Sequence, residues 1–331
     1  MSDVVLRAAC CLCDRPFGEK DKVFQCEKRL AFTVCPECGV PSRTDPADIG
    51  GLYDDSYSGS ITGGFRSEGS CEHARFTLRI LRRFLPKPGR ILDVGCAGGE
   101  FLAVARTAGW DISGVELQRR SALLARDKGI TVYSPTIDHV PPHERFDVVT
   151  LLDVWEHIHE PRPFLDRLCR HMKPGGLLYL ETPNYASMFR HALGRKWMGF
   201  IPHHEILYSP PALASLLSGA GFHLKYQRTY GCSLLSYDGL RRMRIHEPAY
   251  NLFVLALAGL RKLHLAHTIE SCAARLVVRR ISRTINWPFE KVLGEAMGVG
   301  DQLITVAQAT LQKPELPPQQ AKCSVRAAAR R

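Results

Sequence analysis

Between residues 90 and 228 the chain alternates short, largely apolar runs with stretches whose apolar positions recur every three or four residues. The runs at 91–94, 112–115, 130–133, 146–152, 177–181 and 222–227 read as strands buried on both faces. The stretches at 100–108, 120–128, 163–172 and 211–220 carry the helical period and fill most of the gaps between them. A further helix is expected over 71–85 (CEHARFTLRILRRFL), stopped by Pro86, Pro88 and Gly89. Strands alternating with helices of this length predict an α/β fold with a doubly wound, mostly parallel sheet. Ligands of such sheets bind beyond the carboxyl ends of the strands, so the residues that follow each strand are where chemistry is expected.

This rhythm marks one domain over 71–237. Residues 238–298 interrupt it with an apolar and basic, mostly helical insert, and 299–310 (VGDQLITVAQAT) return one strand to the sheet. Residues 1–45 are rich in cysteine and charge. Residues 46–70, rich in Gly, Ser and Asp, read as a linker, and 311–331 as a disordered tail of Pro, Gln and Ala. The first eleven residues lack the apolar core and cleavage pattern of a signal peptide. The longest apolar run, 252–260, falls short of the roughly 18 residues that cross a bilayer, and a cytoplasmic chain is expected.

Composition adds two features. Cys10-x-x-Cys13 and Cys35-x-x-Cys38 have the spacing of two zinc knuckles, since thiolates at i and i+3 around a tight turn take two corners of a tetrahedron and a second pair closes it. A closed four-cysteine site is structural, and residues 1–45 are expected to be a zinc ribbon. The remaining cysteines suit a reducing compartment. A formal charge of +11 on 331 residues calls for an anionic partner, and the insert concentrates it at Arg241, Arg242, Arg244, Arg279, Arg280 and Arg283. Two readings of the insert stay open: peripheral contact with an anionic membrane, or a helical cap over the active site.

The stretch RILDVGCAGGEFL, at 90–102, is a strand running into a bare loop and then a helix. A dinucleotide site would want glycines where Ala97 and Glu100 stand, and a carboxylate at the latter would face the phosphates. S-adenosylmethionine has no phosphates. Its amino-acid end wants a bare backbone, which Asp93, Gly95, Cys96, Ala97 and Gly99 offer, and its ribose wants a carboxylate, which Glu116 offers at the end of the next strand.

LDVGCAGGEFL, GVEL, FDVVTLLDVWEHIHEPRPFL, MKPGGLLYLETPN and HHEILYSPPALASLLSGAGF together resemble class I S-adenosylmethionine-dependent methyltransferases, small-molecule enzymes similar to the ubiquinone-type O-methyltransferases. The resemblance covers about residues 90–228, departs from the family pattern at Ala97, and implies a seven-stranded sheet whose last strand, in GVGDQLITVAQA, is antiparallel. It implies that Asp93, Gly95 and Gly99 line the methionine side, Glu116 holds the ribose, Asp138 lies near the adenine, and Leu152 and Asp153 lie beside the sulfonium. It also implies that His204, ahead of ILYSPP, faces the acceptor or holds the lid over it, and some relatives of this kind join a zinc ribbon to the fold.

Methyl transfer is a displacement in line with the leaving sulfur, and a base is needed only for an acceptor that carries a proton. Glu156, His157 and His204 are the candidates, with His157 read equally well as a histidine that bonds the loop after the fourth strand. A metal held by His157, His159, His203 and His204 is the weaker alternative. The expected partner is a small-molecule, saccharide or lipid-linked acceptor. The competing readings are an RNA methyltransferase, disfavoured by the lack of an Asn- or Asp-Pro-Pro-aromatic motif after the fourth strand, and a non-catalytic binding protein on the same scaffold.

Overall fold

The structure, a computed structural model, describes residues 8–18, 21, 23–26, 30–44, 68–197, 199–231 and 299–310. The tail, the helical insert and most of the expected linker lie outside the described residues. Glu68 to Ser70, read from sequence as the end of that linker, open a helix instead.

Seven strands form the main sheet: β4 (Arg90–Val94), β5 (Asp111–Val115), β6 (Thr131–Tyr133), β7 (Phe146–Leu152), β8 (Met172–Pro183), β9 (Phe222–Tyr230) and β10 (Gln302–Ala309). Their order is β6-β5-β4-β7-β8-β10-β9, parallel from β6 to β8, with β10 antiparallel to both neighbours. The central strands are largely apolar because alternate residues go to opposite cores, whereas the edge strand β9 is mostly polar and half-exposed. Leu92, Val149, Leu178 and Leu303 join one core, and Ile91, Val148, Leu177 and Ile304 the other.

Three helices, α1 (Glu68–Leu81), α2 (Glu100–Thr107) and α3 (Arg119–Asp127), supply buried side chains to the second core. Two more, α4 (Pro161–Cys169) and α6 (Pro210–Gly219), supply the first. Between them lies α5 (Met188–Leu193), a short helix that the apolar period did not reveal.

Two boundaries differ from the sequence reading for a clear reason. Helix α4 starts two residues earlier, because proline is tolerated in a first turn where its missing N–H has no intrahelical partner. Met172, expected to end that helix, pairs with Phe146 and starts β8.

A small antiparallel sheet precedes this domain: β1 (Val23–Gln25), β2 (Ala31–Val34) and β3 (Pro41–Arg43). It docks on the larger domain through backbone. Arg43 N donates to Glu205 O at 2.8 Å, Leu207 N to Pro41 O at 3.1 Å, and Ser42 bridges Ile206. No helix among the described residues is long and apolar enough to cross a membrane.

Candidate active site

The order of β5, β4 and β7 puts the chain reversal of the sheet at the carboxyl end of β4, where crossovers diverge to opposite faces and leave a crevice. A cavity of about 520 Å³ opens there, within the roughly 300–1,000 Å³ range of small-molecule sites. Its wall contains Gly95 and Ala97 after β4, Glu116 to Gln118 after β5, Pro135 to Ile137 after β6, and Leu152 to Val154 after β7.

The loop after β4 alternates into left-handed backbone at Gly95 (φ 79°), Ala97 (φ 46°) and Gly99 (φ 80°). A Cβ on Gly95 would lie 2.4 Å from a Val154 methyl, and one on Gly99 would lie 2.4 Å from Ile130 Cδ1. Gly95 therefore keeps β4 and β7 close at the cavity, while Gly99 serves the packing of α2 on its neighbours and is not in the cavity wall. Ala97 bears a methyl in a conformation glycine favours, and its N–H donates to Glu116 Oε2 at 2.8 Å. Gln118 N donates to Glu116 Oε1 at 2.7 Å. Glu116 thus braces the loop and faces the cavity with the same carboxylate.

Asp93 stands behind the wall. It is 3% exposed and accepts a 2.6 Å hydrogen bond from Thr150 Oγ1, and burial pushes its carboxyl up to about 7 against the pull of that bond. Cys96 is also buried behind the loop, packed against Gly114. Asp138 turns outward, with Arg167 Nε 3.9 Å away, and the wall near it is Thr136 and Ile137.

At the far side of the cavity Glu156 and His157, on a 3-10 turn (Trp155–His157), meet His204. Glu156 is buried, and its Oε2 accepts from Thr182 Oγ1 at 2.8 Å. His204 Nε2 lies 3.7 Å and His157 Nε2 3.9 Å from Glu156 Oε1. Both rings donate through Nδ1 to a backbone carbonyl, His157 to His203 O at 2.9 Å and His204 to Gly199 O at 2.7 Å, which directs Nε2 toward Glu156. His159 does not join them. Its Nδ1 lies 3.2 Å from Glu205 Oε2.

Electrostatics give the cavity its character. Burial pushes the Glu156 carboxyl up to about 7, raises Glu116 and lowers His157, which is neutral at pH 7. Asp153, in left-handed backbone (φ 53°), lines the cavity; the protein packed around it and then the charges of Glu156 and Glu181 push it up. Its side of the cavity is open to water, which tempers that push. Glu116, Asp153 and Glu156 face the cavity with Asp93 behind them, and among the described residues no lysine or arginine lines it.

Residues 65–227 match the family described as a methyltransferase domain. This segment is a class I methyltransferase domain. Ubiquinone biosynthesis O-methyltransferases of Cereibacter sphaeroides and Rickettsia typhi are similar to it: the first is 34% identical over 158 residues, 43% of this chain and 64% of that protein. The second is 26% identical over 149 residues, 41% of this chain and 61% of that protein. The chain therefore spans less than two thirds of the length of either relative. Among solved structures, a SAM-dependent methyltransferase from Archaeoglobus fulgidus is 21% identical with a TM-score of 0.46, covering 77% of this chain and 100% of that one.

The small sheet braces residues 205–207 of the methyltransferase domain, beside His204. Glu156 O accepts from Glu205 N at 2.8 Å and Ile206 N at 3.2 Å, so residues 205–207 are held between the 3-10 turn and β3. The two cysteine knuckles, one ahead of the small sheet and one between its strands β2 and β3, share one local geometry. Asp14 N donates to Cys10 O and Gly39 N to Cys35 O, with Asp14 (φ 57°) and Gly39 (φ 70°) both left-handed. The sulfurs of Cys10 and Cys38, and of Cys13 and Cys35, lie 3.5 Å apart, and all four fall within 4.8 Å of one another. A tetrahedral zinc with bonds of about 2.3 Å separates its sulfurs by about 3.8 Å, so the four thiols fit the ion with small adjustments. Cys11 lies 3.4 Å from Ser42 Oγ and Cys26 is buried among Phe32, Trp197 and Phe200, both away from the cluster.

Among the wall residues that sequence reasoning did not find are Gln118, Thr136, Ile137, Ile201 and Gln302. The first three follow strand ends and were within reach of the rule that located Glu116; Ile201 and Gln302 come from a loop and an antiparallel strand with no such signal.

Proposed function

We propose that the chain is an S-adenosylmethionine-dependent methyltransferase acting on a hydroxyl-bearing small molecule. The observation that carries this reading is a cavity at the sheet's reversal that, among the described residues, gathers three carboxylates and no lysine or arginine. Such a cavity repels phosphates and stabilises a ligand with two positive groups, a sulfonium and an ammonium. When bound, S-adenosylmethionine supplies a methyl group activated by the positive sulfur.

The chain's own residues do the rest. Gly95 and Ala97 present backbone to the amino-acid end, Glu116 accepts from the ribose hydroxyls, and Thr136 and Ile137 face the base, in place of Asp138. Asp153 and Leu152 border the reacting centre. On the acceptor side His204, whose Nδ1 donates to the Gly199 carbonyl, offers Nε2 beside Glu156 to take up a hydroxyl proton. The relatives' role as ubiquinone biosynthesis O-methyltransferases favours oxygen over nitrogen as the acceptor atom, and saccharide and lipid-linked hydroxyls belong to the same class.

Methyl transfer from labelled S-adenosylmethionine to a panel of hydroxylated acceptors tests the reading. His204→Ala is expected to lower turnover far more than cofactor affinity, and an equal loss of both would contradict an acceptor-side role.

Two further parts complete the proposal. Cys10, Cys13, Cys35 and Cys38 hold a structural zinc, for which metal analysis of protein purified without chelator should find one tightly bound equivalent. The basic residues between 240 and 293 contact an anionic membrane when the acceptor is lipid-linked, and flotation with anionic vesicles should carry the protein upward; protein left at the bottom of the gradient contradicts this.

A further inference from the structure

Behind the end of β7, outside the cavity wall, lies a second acid–histidine pair. Glu181, 2% exposed near the end of β8, receives His73 Nε2 on Oε2 at 3.0 Å, the Tyr230 hydroxyl on Oε1 and the Tyr179 hydroxyl on Oε2 at 3.5 Å. Its backbone carbonyl accepts from Asp153 N at 3.0 Å, so the same residue holds the turn that brings Asp153 to the cavity. We propose that His73 is a positioning residue for the cofactor's sulfonium: as the cationic partner of Glu181 it balances the charge behind Asp153 and leaves the Asp153 carboxylate to the ligand. That Asp153 meets a sulfonium rests on the methyltransferase reading. The pairing of His73 with Glu181 does not.

The surroundings of Glu181 suit a charged pair. Three groups on three elements donate to its two oxygens, which is how a carboxylate is held. A carboxylate so buried needs a positive partner, and among the described residues His73 is the one cationic side chain within ion-pair distance. The other charged groups around the pair are Asp153 and Glu156 after β7, Glu72 on α1, and Arg228 on β9, whose guanidinium lies over the Phe76 ring at 6.0 Å.

His73 is also fixed in place. Its ring stacks on Tyr230 at 6.2 Å and 25° and lies 6.2 Å from Phe76, and with 36% of its side chain exposed it exchanges its proton directly with solvent. Burial disfavours the imidazolium, but the bond to Glu181, the charge of Glu181 and then that of Asp153 outweigh it, so the ring keeps its proton to higher pH than a free histidine.

The consequence reaches the cavity through Asp153. Burial and then the charges of Glu156 and Glu181 push the Asp153 carboxyl up, whereas His73 pulls it down. An imidazolium at position 73 therefore favours an ionised Asp153, and an ionised Asp153 favours a ligand with positive charge at sulfur over one without. S-adenosylmethionine has that charge, and S-adenosylhomocysteine, a neutral thioether, does not. Loss of the His73 charge should accordingly weaken the first more than the second. A residue that only packed α1 on the sheet would move both alike.

Calorimetric titration of the full chain with each compound, at about pH 6.5 where the imidazolium is present, makes the test. His73→Gln, whose amide still donates to Glu181, is expected to lose roughly 10-fold in its preference for S-adenosylmethionine over S-adenosylhomocysteine, and His73→Lys, which restores a cation, to keep that preference. An unchanged preference in His73→Gln, or an equal loss of both ligands, overturns the proposal. The pair is read without any cofactor by NMR titration of the His73 ring in the wild type and in Glu181→Gln. A midpoint above the ordinary histidine value that falls in the variant is expected, and equal midpoints overturn the pairing. Wild-type protein that shows this shift but takes up neither compound sinks the methyltransferase reading, and with it the sulfonium role of His73, while the pair with Glu181 stands.

Discussion

Asp93 shows what one buried carboxylate costs this fold. Its carboxyl, raised from 3.8 to about 7, binds a proton more tightly folded than unfolded, so its contribution to stability falls as pH rises from about 4 to 7 and stays low above that. The full gap is worth at most about 4 kcal/mol. Asp93→Asn, which keeps an acceptor for Thr150, should therefore stabilise the cofactor-free protein, more at pH 8 than at pH 5, as read by urea unfolding; an equal effect at both pH values would contradict the assignment. Ala97 is a smaller case. Glycine there releases left-handed strain of about 1–2 kcal/mol and adds about 0.5–1 kcal/mol of unfolded-chain entropy. Ala97→Gly should accordingly raise stability by about 0–1.5 kcal/mol, as read by urea unfolding. Single residues were legible in the sequence where a local rule governs them: Gly95 and Glu116 follow strand ends, and the cysteines repeat a turn. Asp138 was not, because on a 3-10 turn the neighbours of a residue, here Thr136 and Ile137, face the cavity in its place.

At the scale of elements, apolar runs revealed the parallel strands of the main sheet, since strands covered on both faces have no polar side to interrupt them. The convergence of Glu156, His157 and His204 was hidden because it depends on bonds from Glu205 and Ile206 to the Glu156 carbonyl, between segments some 50 residues apart that no periodicity links. Pairing of β3 with residues 205–207 makes the small sheet a support for that segment. Opening it with a strong chelator, or with Cys38→Ser, is expected to raise amide exchange at 201–208 and to lower acceptor turnover roughly 10- to 100-fold, with cofactor affinity nearly unchanged. Loss of cofactor affinity to the same degree would mean that the small sheet supports the whole fold and not this segment.

For the whole molecule, the sheet order and the cavity's charge say the same thing. The reversal at β4 makes the crevice, the bare loop lets a ligand approach the backbone, and in the proposed reading the carboxylates of Glu116, Asp153 and Glu156 favour a cationic ligand. Calorimetric titration of the full, zinc-replete chain with S-adenosylmethionine, repeated on Glu116→Ala, tests that claim most directly. One site is expected in the wild type, weakened roughly 10- to 100-fold in the variant by the loss of hydrogen bonds to a charged group. Folded wild-type protein that takes up no S-adenosylmethionine, or a variant that binds it as tightly as the wild type, would contradict the account.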